Sequence, residues 1–397
     1  MVDLDSLYRA HAPGIVASLT RRFGPARLDV VEAAVQEAFV AALAWGDSPP
    51  ERPAAWLSTV ARRRVIDALR RAAWFAPDDD IDERAAEPSD AHGDDDLLRM
   101  MLVCCHPAIP IEGALALALR TLCGFPISAL TRALLADEAA IEKRLSRARA
   151  VLREHRVEWD AGADASDRVD AVLRTLYVLF LEGYSAHAGP AQIDVDLCRT
   201  AIRLNALVLA GFASPAAHAL QALFLLQASR LAARTDERGE IVPLHEQDRA
   251  RWNREMIDAG LGELAAASSG PTMTPYHLEA AIAACHAMAA TYDATDWPRI
   301  VALYDRLLEL APSPVIALQR AIAVGRAAGP RQGLKALSSI GDARLADSAV
   351  LAAAEGDLKE RLGDRRGARA AYRRALELVG TEPERPSSTR NSPSSTG

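Results

Sequence analysis

Apolar residues recur along most of the chain at intervals of three and four, the period of one helix face. Leu4, Leu7, Tyr8 and His11 open one amphipathic helix, and Val31, Val35, Ala38, Phe39 and Ala42 form the stripe of another. GDSPPERP (46–53) interrupts the pattern. Beyond it, Leu57, Ala61, Val65, Leu69 and Ala72 mark the inner face of a helix that starts at Trp56 and sends Arg63, Asp67, Arg70 and Arg71 to its other side. Residues 77–96 hold Pro, Asp, Ser and Gly with almost no large apolar side chain, which predicts a flexible linker. Periodicity returns at 97. Leu115 to Cys123 reads as a helix, Gly124 and Pro126 turn the chain, and Ser128 to Leu135 forms a short helix. Asp137 is then placed to cap a third helix with Ile141, Leu145, Ala148 and Leu152 on one face. Residues 167–380 are Ala/Leu-rich helical text with short Gly/Pro turns, and 381–397 read as a disordered tail. The expected fold class is all-α.

A chain of 397 residues is too long for one core and implies several domains. Half of its residues are apolar and only 5% aromatic, a bias toward helix over strand. LYDRLLELAPSPVIALQRAIAVG (303–325) and ARAAYRRALELVG (368–380) share a Tyr followed by Leu, an acid and Leu, so the C-terminal part resembles tetratricopeptide repeats with an irregular period. No apolar run approaches the length of a membrane span, and the N-terminus has no basic region followed by an apolar one, so a cytoplasmic protein without membrane partners is expected. Five cysteines, an odd number in mostly apolar helical text, predict reduced thiols.

The net charge of −7 argues against a nucleic-acid partner until its distribution is considered. Residues 78–96 hold ten acids against one arginine, whereas the helix from Trp56 carries five arginines against Asp67 alone. A helix presenting such a face can lie along phosphates. The unit from 115 to 155 reads as a helix-turn-helix whose last helix would enter a major groove with Lys143, Arg144, Ser146 and Arg147. Two basic helical modules flank an acidic segment.

CCHPAIP (104–110) invites a metal reading. Adjacent cysteines do not readily point at one zinc, no CxxC pair exists, and the other cysteines and histidines show no ligand rhythm, so the segment is read as a packed corner leading into the second module. No Gly-rich phosphate loop, HExxH or GxSxG occurs. Glu182, Tyr184 and His187 are read as a structural turn, and His245, Glu246, Asp248 and Arg249 as ion pairing within the C-terminal part. Neither a catalytic site nor a cofactor or metal is expected.

VEAAVQEAFVAAL (31–43), PAAWLSTVARRRVIDALRR (53–71) and IEKRLSRARAVLRE (141–154) resemble regions 2 and 4 of bacterial RNA polymerase sigma factors of the extracytoplasmic function (ECF) class. CCHPAIP, FLEGYSAH (180–187), LHEQDRARWNREMIDAG (244–260) and LYDRLLELAPSPVIALQRAIAV (303–324) are similar to the subgroup with a tetratricopeptide-like C-terminal extension. The resemblance implies region 2 over 1–76, an acidic linker over 77–96, region 4 over 97–160 and the extension over 167–380. It implies that Glu32, Gln36, Glu37 and Phe39 bind core polymerase at the β′ clamp, with further contact to the β subunit. Trp56, Arg62, Arg63, Arg64, Arg70 and Arg71 would then engage the −10 element, and Lys143, Arg144, Ser146, Arg147 and Arg149 the −35 element. The linker would thread the RNA exit path, and the extension would act in cis or through a regulatory protein. Ala33 departs from the acid usual at its position, and Ala129 in SALTRAL from the usual glutamate. A helical-repeat interaction scaffold and a stand-alone helix-turn-helix regulator are the alternative readings.

Overall fold

The structure, a computed structural model, describes residues 4–46, 48–73, 93–134, 136–159, 165–184, 193–341 and 348–380. Among them the chain forms seventeen α-helices and no strand, with one isolated bridge between Thr235 and Ile241. The all-α expectation is met. The helices fall into two compact units, Met1–Gly270 and Pro271–Gly397.

The first unit begins with α1 (Leu4–Phe23), α2 (Leu28–Ala42) and α3 (Pro53–Ala73). The whole α2 stripe is buried, from Val31 to Ala42, and packs on α3 through Leu57, Ala61 and Val65, each fully buried. Leu69 is only half-buried and Ala72 exposed, so the inner face of α3 ends one turn earlier than its pattern predicts.

Helix α4 (Gly93–Cys104) starts inside the segment read as linker, with Asp94, Asp95 and Asp96 in its first turn, where carboxylates favour the helix dipole. Asp96 is buried and lies 3.4 Å from Arg21 of α1. The rest of that segment, 77–92, lies outside the described residues, as does the tail 381–397.

Next come α5 (Ile111–Cys123), α6 (Ile127–Ala133) and α7 (Glu138–Glu154). Asp137 caps α7 as its position predicts, its Oδ1 accepting from Ala140 N–H at 2.7 Å. Ile141, Leu145, Ala148 and Leu152 are all buried, and α7 packs on α5 and α6. Between α5 and α6, Gly124 adopts φ +68°, and a Cβ there would lie 2.6 Å from the Tyr8 ring of α1. Glycine therefore serves two needs at one turn, the left-handed backbone and the close approach of α1.

CCHPAIP makes the corner between α4 and α5. Cys104 and Cys105 are buried, Cys105 Sγ lies 4.0 Å from Thr175 Oγ1, and burial pushes the Cys105 thiol up to about 12. His106 Nδ1 accepts from Ala108 N–H at 3.2 Å, closing the turn.

Helices α8 (Ala165–Tyr184), α9 (Val195–Gly211), α10 (Pro215–Ala228) and α11 (Arg254–Ala267) complete the unit. α8 packs on α4 and α5 as well as on α9, and α9 also reaches α4, where a Cβ at Gly211 would meet Leu98 at 2.5 Å. α8 and α9 thus pack on α4 and α5, while α10 packs on α8 and α9 and carries α11.

The second unit holds α12 (Pro275–Met288), α13 (Trp297–Leu310), α14 (Pro314–Ala327), α15 (Pro330–Ser338), α16 (Ala349–Arg361) and α17 (Arg365–Gly380). Consecutive helices pack from α12 to α17. One core gathers Leu278, Ile282, Cys285, Ile300, Leu307 and Ala323, and another Leu318, Ala321, Leu337 and Leu358. A Cβ at Gly333 would fall 2.7 Å from Gly325 Cα, so α14 and α15 cross at backbone contact.

Candidate nucleic-acid interface

With its apolar face sealed against α2, α3 directs its arginines outward. Arg63, Arg64, Arg70 and Arg71 are exposed and Arg62 half-buried. Arg64 lies 3.5 Å from Glu37, an exposed pair that adds little stability and leaves the guanidinium available. Arg71 Nε–H donates to the Asp67 carbonyl at 3.3 Å. At the start of α3, half-buried Trp56 meets half-buried Trp45 edge-on with ring centroids 5.0 Å apart. The chain between these rings carries the proline-rich break, so an aromatic pair and an arginine face lie on one hairpin.

The outer face of α2 is the second surface. Gln36 and Glu37 are exposed there. Val40 and Leu43 are 65% and 66% exposed beside them, an apolar pair that sequence reasoning overlooked. The signal was present: both side chains lie off the Val31–Val35–Ala38–Ala42 stripe, where a solvated helix would carry polar residues. Phe39, expected to contact polymerase, points inward instead. It is 8% exposed and packs edge-on against Tyr8 at 4.8 Å.

On α7, Lys143, Ser146 and Arg147 are exposed and Arg144 half-buried. Arg149 departs from them. Its Nη2 and Nε donate to Glu32 Oε2 of α2 at 2.6 and 3.1 Å, while Thr121 Oγ1 of α5 donates to Glu32 Oε1 at 2.7 Å. Arg153 and Asp29 add a more exposed pair at 3.2 Å on the same line of contact. In this arrangement Glu32 and Arg149, assigned by resemblance to two different partners, are occupied by each other.

The polar residues weighed as enzyme-like are structural in their surroundings. Tyr184 Oη donates to Gln227 Oε1 at 2.9 Å and its ring lies 3.7 Å beneath the Arg234 guanidinium; His187 lies outside the described residues. His245 lies 3.3 Å from Glu246, Asp248 caps a short turn by accepting from Ala250 N–H, and Arg249 stacks on Trp252 at 4.5 Å. Among the described residues no cluster of His, Cys, Asp or Glu suits a metal ion, and no helix is long and apolar enough to cross a membrane.

Residues 7–75, which contain α2 and α3, match the sigma-70 region 2 family, and residues 168–268 match a family of unknown function, DUF6596. The second match covers α8 to α11, of which α8 and α9 pack on α4 and α5. Uncharacterized protein R00370 of Rhizobium meliloti (strain 1021) is 40% identical over 382 residues, covering 92% of this chain and 90% of that protein. No solved structure matches the chain. A region 2 domain implies work in transcription initiation on core RNA polymerase and promoter DNA. The chain thus belongs to one family with the rhizobial protein, and its own residues 7–75 form a sigma-70 region 2 domain.

Proposed function

We propose that the chain is an ECF-type sigma factor that binds core RNA polymerase and directs promoter-specific initiation. The observation that carries this reading is the pairing, within one unit, of a region 2 hairpin bearing an outward arginine face with a second helical module whose α7 exposes Lys143, Ser146 and Arg147. Gln36 and Glu37, with Val40 and Leu43 beside them, offer the β′ clamp a mixed polar and apolar surface. Trp56 and the α3 arginines face the −10 element and α7 the −35 element, with contacts to phosphates giving affinity and contacts to base edges giving selectivity.

Glu32 and Arg149 have a different role. They hold the two modules together in the free chain, and Arg149 becomes available to DNA when the modules separate on polymerase. The helices matching the family of unknown function brace the second module through α4 and α5, and this supports regulation in cis by the extension.

Reconstitution with core polymerase tests the proposal. Promoter-specific transcription and core-dependent promoter binding are expected. Absence of core binding would favour a protein-interaction scaffold, and tight duplex binding without core would favour a stand-alone regulator; either result overturns the sigma reading.

A further inference from the structure

The last helix of the second unit has a charge arrangement that its packing does not require. α17 turns Ala368, Ala371 and Ala375 into the interior and lays the Tyr372 ring on α16, where a Cβ at Gly356 would lie 2.6 Å from it. Its outer side carries Arg365, Arg366, Arg369 and Arg373, all exposed. At 3.6 residues per turn these four fall within an arc of about 100° and span about 12 Å along the axis.

The acids of α16 and of the turn after it are matched elsewhere, which leaves these arginines with the exposed Glu377 as the single acid of their own helix. Glu355 holds Lys359 at 2.6 Å, and Asp357 holds Arg326 at 3.0 Å and Arg361 at 3.9 Å. Glu360 accepts from Tyr372 Oη at 3.0 Å, and Asp364 accepts from Gly367 N–H at 2.9 Å. Among the described residues, the side chains of Arg365, Arg366, Arg369 and Arg373 have no hydrogen bond or ion pair. Four like charges held on one helix face repel one another, which costs the folded state and calls for a polyanion.

We infer that the α17 face is a second, sequence-independent docking surface for the phosphate backbone of duplex DNA. Three features select this partner. The chain carries a DNA-directed region 2 domain, and this inference rests on that much of the function proposed above. Every cation of the face is arginine, whose planar fork suits phosphate oxygens. A membrane-surface helix needs a broad apolar face to immerse, whereas the apolar side of α17 is buried on α16 and, among the described side chains of α17, Leu376 is the one large apolar group exposed, at 74%.

The test compares the full chain with the variant Arg365→Gln, Arg366→Gln, Arg369→Gln, Arg373→Gln. Binding to a fluorescent 40-base-pair duplex of arbitrary sequence is titrated with salt, without polymerase. Because these side chains are exposed and unpartnered and their mutual repulsion is relieved, the variant should keep the helical spectrum of the parent and melt no lower than it does. Every arginine that no longer neutralises a phosphate makes the slope of log K against log salt shallower by about 0.9. A slope shallower by about 2 to 4, with similar weakening for unrelated sequences, is the expected result. An unchanged slope overturns the inference, and so does a defect seen only with anionic vesicles or with polymerase while duplex binding stays intact. Promoter-specific transcription by the parent chain is scored separately. Its absence would sink the sigma reading and leave the slope comparison to decide the α17 surface.

Discussion

Arg149 on α7 reaches across the first unit and grips Glu32 on α2 with two N–H donors, at 2.6 and 3.1 Å, while Thr121 binds the other carboxylate oxygen at 2.7 Å. Glu32 is 9% exposed, so the ion pair is largely withdrawn from water and each partner depends on the other. Charge-assisted bonds of this kind are each worth about 1.5–3 kcal/mol. That is enough to bias the placement of two small modules and small enough for a large partner surface to overcome.

Glu32→Gln or Arg149→Gln should therefore loosen the first unit. Small-angle scattering is expected to show expansion in both, and the Glu32→Gln chain, which keeps Arg149 and frees it, should bind −35 duplex several-fold more tightly. Glu32→Arg combined with Arg149→Glu should restore compactness. Single variants as compact and as weakly binding as the parent would remove the pair from any gating role.

The exposed and buried faces of α2 should separate cleanly on substitution. Val40→Glu and Leu43→Glu alter side chains that are 65% and 66% exposed, so stability should move by no more than about 0.5 kcal/mol while core-polymerase capture falls sharply. Phe39→Ala removes a buried ring and should cost about 3–5 kcal/mol in a denaturant melt. Equal capture by parent and both glutamate variants would move the polymerase contact elsewhere.

Arg63, Arg70 and Arg71 lie on the exposed side of α3, away from the buried faces of α2 and α3. Their joint replacement by alanine should weaken promoter-complex formation at least tenfold and leave core affinity nearly unchanged. Equal weakening in a core-binding assay and a promoter shift assay would show that this face serves polymerase rather than DNA.

Burial disfavours the Cys105 thiolate, raising the thiol from 9.0 to about 12, so at pH 8 the folded chain holds a neutral, unreactive group. Iodoacetamide at pH 8 should label Cys105 only after denaturation, as read by peptide mass spectrometry. The sign of the linkage follows: the contribution of this burial is complete below pH 9 and is lost as pH rises toward 12. Rapid native labelling, or stoichiometric zinc in the purified protein, would replace the packed corner with a reactive or metal-binding one.

Local patterns determined a good part of this protein. The stripes of α2 and α7 are buried throughout, and Asp137 caps α7 as its position requires, because helical period and capping act over four residues and need no distant partner. The same locality explains why the arginine face of α3 was legible: once Leu57, Ala61 and Val65 fix the inner side, helical period sends Arg63, Arg70 and Arg71 to the other.

Tertiary packing decided what each polar side chain faces. In sequence, Arg149 is one more cation beside Lys143, Arg144 and Arg147, and Glu32 is one more acid on α2. Only the approach of α7 to α2 turns Arg149 inward, just as Tyr8 draws Phe39 into the core and leaves Val40 and Leu43 outside. The start of α4 at Gly93 is a further case, since Asp96 is buried within reach of Arg21, a contact remote in sequence. Periodicity is a property of one helix, whereas the partner of a charge depends on which helices meet.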